Sequence, residues 1–277
     1  MMMRLVAGIL SVILGSTGAA AELDLDREVL VIPDTHNAKP YIWHVARNPR
    51  GYELLLSESK DKAGGEGTFA FQIVSPPGIR PEDVHVFIAS DDLHAYAHLR
   101  ALWKGDGYQF SYRPPGAGAY RLEIVFQTPE GWVNLSKSIK MGGPAVNASP
   151  DTLPGDDDYH VKVKLRPKKA YAEHVVTFLY EIFYSGAPLR DIEKLDGFDM
   201  QVAAWDETLK EFIYMTPKQN MGGPEVAVSV FFMRPGKHAV FAEFKHNGSI
   251  RRVDFAVTVY PEPVAGDDAI INLKPSD

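Results

Sequence analysis

The chain has 277 residues, 45% of them hydrophobic and 23% charged, a balance that supports buried cores and a length that suits about two domains. Its net charge of −7 gives no electrostatic footprint for nucleic acid or an anionic membrane surface. It has no cysteine, which excludes disulfides, thiolate metal ligands and a Cys nucleophile.

In chain order, the first predicted element is a cleaved secretory signal over residues 1–21. Arg4 supplies the positive end, residues 5–14 a short apolar core, and Ala19 to Ala21 a small-residue cleavage site. The apolar core is short for a membrane span, so no stable membrane insertion is expected, and the mature protein is placed in the periplasm or outside the cell. Residues 22–49 form an N-terminal extension with one strand near 29–32. Thereafter Val-, Ile-, Phe- and Tyr-rich runs recur, such as FAFQIV at 69–74, YRLEIVF at 120–126 and FAVTVY at 255–260, each closed by turn residues. Several alternate apolar and polar residues, the pattern of strands with one face on a core.

These runs repeat. YELLL at 52–56 and FAFQI at 69–73 are answered by YHVKVKL at 159–165 and VTFLYEI at 176–182. VFIASD at 86–91 aligns with QVAAWD at 201–206, Tyr96 and His98 with Phe212 and Tyr214, and GAYRLEIVF at 118–126 with GKHAVFAEF at 236–244. Blocks in one order at a nearly constant offset predict a duplication. The expected fold is all-β: two tandem immunoglobulin-like antiparallel sandwiches of about seven strands each. Copy one covers 50–142, a Gly/Pro/Asp-rich linker 143–157, copy two 158–260, and a tail 261–277.

The same blocks resemble a group of bacterial secreted tandem β-sandwich proteins with His-rich, HxHP-like modules and a copper-handling character. The resemblance rests on HVFIASDDL at 85–93, Tyr96, His98 and Arg100, and Gly118, Tyr120 and Leu122 in copy one. In copy two it rests on Met200, Trp205, Asp206, Phe212, Tyr214, Thr216 and Pro217. It implies a transition-metal site, copper above all. Where the family pattern carries three histidines, copy one has His85, His98 and Arg100, and copy two offers Met200, Tyr214 and Thr216.

Read residue by residue, a hairpin centred between Asp92 and Leu93 sets His85 opposite Arg100 and diagonal to His98, within reach of one ion. Imidazole suits Cu(II) or Zn, and the thioether of Met200 suits Cu(I). By this alignment His85 and Met200 occupy matching places, and Met200 shares a face with Tyr214. Strand histidines on a solvated face and a Met filling a core gap are the plainer alternatives. Trp132, beside the turn at Glu130 and Gly131, is the most exposed-looking tryptophan and with Tyr214 a candidate binding platform for a carbohydrate or a protein partner. No catalytic constellation such as G-x-S-x-G, H-E-x-x-H or a P-loop occurs. The expectation is an exported, non-enzymatic binding module, with a structural or protein-interaction module as the alternative and a carbohydrate-binding module as a further one.

Overall fold

In the computed structural model, residues 27–33, 40–57, 67–142 and 158–261 are described; the expected signal and linker, and the expected tail from 262 on, lie outside them. Copy one holds β1 (Arg27–Pro33), β2 (Pro40–Arg47), β3 (Glu53–Ser57), β4 (Gly67–Val74), β5 (Glu82–Ser90), β6 (Tyr96–Arg100), β7 (Leu102–Lys104), β8 (Gly107–Tyr112), β9 (Gly118–Thr128) and β10 (Gly131–Met141). Copy two holds β11 (Tyr159–Arg166), β12 (Ala170–Tyr171), β13 (Val175–Tyr184), β14 (Ala187–Pro188), β15 (Gln201–Asp206), β16 (Phe212–Met215), β17 (Glu225–Phe231), β18 (Gly236–His246) and β19 (Ser249–Tyr260).

Each copy is a two-sheet immunoglobulin-like sandwich. One sheet of copy one runs β1-β2-β10-β9-β5-β6, and its counterpart in copy two runs β12-β19-β18-β15-β16. In both, a strand parallel to the last strand joins the edge: β2 on β10, and β12 on β19. The second sheets are β3-β4-β8-β7 and β11-β13 with β14 and β17. The stretch ahead of residue 50 is thereby explained, since the β1–β2 hairpin widens the larger sheet of copy one.

Two cores fill the sandwiches. Phe71, Val86, Ile88, Leu122, Ile124 and Phe126 lead the first, and Phe178, Tyr180, Val202, Val228, Phe232 and Phe244 the second. The turns repeat as well. Leu93 and Leu209 both adopt the left-handed conformation, at φ 60° and 55°, and their amides bond to the carbonyls of Ser90 and Asp206. A leucine rarely sits there, and it does so at the same place in the hairpin turn of both sandwiches.

These turns correct the alignment of one block. β9 and β18 match from Gly118 and Gly236; Phe87 pairs with Glu123, and Ala203 with Phe241. Phe87 therefore matches Ala203 and His85 matches Gln201, one residue away from the sequence alignment. A slip of one residue exchanges the faces of a strand. Met200 consequently lies with Val202 and Met215 in the second core, away from the face that carries Tyr214.

Copy two also contains a close approach at Gly223, where φ is +90° and an added Cβ would lie 2.5 Å from the Leu189 carbonyl oxygen and 2.9 Å from Ile192 Cδ1. Gly223→Ala is expected to destabilise the protein by about 2–3 kcal/mol, read from the urea midpoint, because backbone strain and overlap act together.

Candidate functional site

β5 and β15 are buried on both faces, although each copy's own core covers only one. The second covering is the other copy. Phe87, Ala89, Tyr96 and Val125 of copy one and Ala203, Trp205, Phe212 and Phe241 of copy two form a third apolar cluster. The Tyr96 and Phe241 rings stack at 4.3 Å and 3°, and Phe87 lies 5.2 Å from Phe212 and 4.9 Å from Tyr214. The matching places carry side chains of unequal size, Phe87 for Ala203 and Ala89 for Trp205, and the Tyr96 ring lies 5.9 Å from the Trp205 ring.

At one border of this cluster lies a polar chain. Arg100 Nη1 is 2.6 Å from His85 Nε2, His85 Nδ1 is 2.9 Å from His98 Nε2, and His98 Nδ1 is 2.8 Å from Glu243 Oε2 in copy two. The guanidinium can only donate, so His85 Nε2 accepts and its Nδ1 carries the proton. His98 Nε2 then accepts, and its Nδ1–H donates to Glu243. One order of protons satisfies every contact. Burial foremost, then the neighbouring His98 and Arg100, lower the His85 pKa from 6.5 to about 3. Arg100 is held by Asp83 at 2.9 Å, with Asp196 of copy two at 3.9 Å. In copy two the matching pair is bonded too: Tyr214 donates to Gln201 Oε1 at 3.1 Å.

Four of the five residues singled out in the sequence therefore gather here. His85 sits opposite Arg100 and diagonal to His98. Trp132 and Tyr214 lie 6.2 Å and 5.6 Å from the His85 ring. Trp132 is half-buried against the joint and does not stand clear of the surface as its turn position suggests. Met200 is the exception, fully buried in the second core. His85 is buried as well, where a strand histidine on a solvated face would be open. Among the described residues no group of three or more His, Asp or Glu side chains is arranged to hold a metal ion.

Several buried carboxylates were not foreseen, Glu123 and Glu211 among them. Glu123 accepts from Asn134, Ser136, Arg121 and Arg47, and Arg47 also reaches the Lys210 carbonyl across the joint. Glu211 accepts from the amides of Met233 and Arg234 and from His238 Nε2 at 2.9 Å. In the sequence both read as ordinary surface charges. The one signal for Glu123 is its place inside the apolar run at 120–126.

Fold and joint together define a tandem immunoglobulin-like β-sandwich protein whose copies pack face to face. Residues 154–261, the second copy, match a family model described as a domain of unknown function, DUF8832. No curated protein matches the chain. Among solved structures it is similar to the three N-terminal domains of the bacteriophage RB49 Highly Immunogenic Outer Capsid protein, at 10% identity and TM-score 0.23, over 75% of this chain and 59% of that one. It is also similar to the FN1–FN3 domains of chicken CNTN1, at 9% identity and TM-score 0.25, over 75% and 65%. The chain spans less than two thirds of either.

Proposed function

We propose that this chain is an exported, non-catalytic structural or interaction module in which the two sandwiches act as one rigid body. The observation that carries the reading is the continuous joint: an apolar cluster bordered by the Arg100–His85–His98–Glu243 chain. Its titratable groups are engaged with one another and hold the copies together. A site that binds a metal or performs acid–base chemistry keeps lone pairs available for it.

Transition-metal binding, copper above all, is the reading that the geometry favours less. His85 Nε2 receives the Arg100 cation and its Nδ1 donates to His98, so an ion at this place must break both contacts and face a guanidinium. The test is metal content after purification under copper and zinc, with melting followed on Cu(II) addition. The expected result is sub-stoichiometric metal and an unchanged melting point. One equivalent retained by the chain and lost in the double variant His85→Ala/His98→Ala would overturn the proposal. X-ray scattering should fit a single fixed arrangement of the copies, and a broad distribution of inter-copy distances would count equally against it.

A further inference from the structure

Beside the joint, on the side of Arg47 and Lys210, both copies line a cleft of about 760 Å³. That volume suits a small ligand, and the boundary between two domains is a usual place for one. Copy one contributes Arg121 and Asp91 to the wall; copy two contributes Lys210, Arg234 and Glu207. The lining has one apolar side chain, Leu209, and hydroxyls from Ser138 and Thr208. Arg47 and Arg121 share the Glu123 carboxylate beneath this part of the floor.

The chemistry of the wall selects among ligand classes. An apolar molecule finds no apolar wall to rest on. A bare anion meets the cations together with two carboxylates that repel it. A neutral sugar leaves the Lys210 ammonium and the Arg234 guanidinium without an answering charge. A hydroxylated ring bearing an acid group answers both halves of the lining: its oxyanion meets Arg121, Lys210 and Arg234, and its hydroxyls donate to Asp91 and Glu207. We infer that this cleft binds an acidic sugar of the uronate type, gripped between the two copies. The joint that fixes the copies also fixes the two halves of this wall against each other.

The test is calorimetric titration of the full chain with digalacturonate, with lactose and with inorganic phosphate, supported by chemical-shift mapping. Digalacturonate should bind, weaken with added salt, and exceed both other probes by about tenfold or more. Lys210 and Arg234 are exposed, so Lys210→Ala/Arg234→Ala should keep the fold and weaken digalacturonate by about tenfold. Asp91 and Glu207 are exposed too, and Asp91→Asn/Glu207→Gln should weaken digalacturonate while strengthening phosphate. No binding of digalacturonate, equal binding of lactose, stronger binding of phosphate, or indifference to both double variants would overturn the assignment. None of the four residues belongs to the His85–Glu243 chain, so such a failure would leave the rigid-module reading standing.

Discussion

Acidification should weaken the protein through His85 by about 2 kcal/mol at pH 5 and on the order of 4 kcal/mol near pH 3, since each unit of pKa difference is worth about 1.4 kcal/mol. In the unfolded chain this imidazole takes a proton near pH 6.5; in the folded protein burial, His98 and Arg100 hold it neutral down to about 3. Between those values the unfolded state binds the extra proton, so stability is full above pH 6.5 and falls as pH falls through the window. Protonation also reverses the chain: an imidazolium donates from both nitrogens and meets the Arg100 guanidinium donor to donor. The control is His85→Gln, which keeps one donor and one acceptor and is the residue of copy two at the matching place. Urea midpoints at pH 7, 5 and 4 should show a markedly flatter dependence for the variant. Parallel curves for variant and wild type would remove His85 as the cause.

The second large effect is expected at Trp205, the bulkiest fully buried side chain of the joint. Its ring lies 4.7 Å from Phe212 and 5.9 Å from Tyr96, while its indole nitrogen has no hydrogen-bond partner. Trp205→Ala therefore removes packing without breaking a polar contact, and should cost about 3–5 kcal/mol. Because the void opens between the copies, one cooperative melting transition should divide into two. Trp103→Ala, at a tryptophan 47% exposed on the copy-one edge strand β7, should change little. A Trp205→Ala protein that still melts in a single step at the wild-type temperature would mean that the joint contributes nothing to stability.

The sandwiches were legible because alternation and turn residues are local signals. The facing of His85 and Arg100 followed from a four-residue turn, and the structure has that register. The joint was not legible. VHVFIAS and QVAAWD are nearly continuous apolar runs, and such a run does not say whether its second face meets its own core or a neighbouring domain. The block at 201–206 slipped by one residue because Val, Ala and Ala match either register of VFIA, and nothing within the strand anchors the alignment. The anchor lies in the next turn, in Leu93 and Leu209, whose unusual backbone has no mark in composition. That slip sent Met200 to the wrong face. Glu123 and Glu211 stayed hidden for another reason: a carboxylate buried among several donors is spelled with the same letter as one in water.

The unequal sizes across the joint bear on how the chain avoids its own copies. Two equal faces would pair as readily between molecules as within one, and chained assemblies would result. Here Ala89 and Trp205, like Phe87 and Ala203, hold matching places with side chains of unequal size. Two first copies brought together in the same way would set Tyr96 over Ala89 in place of Trp205 and lose that ring contact. The difference in size makes the contact directional, first copy to second.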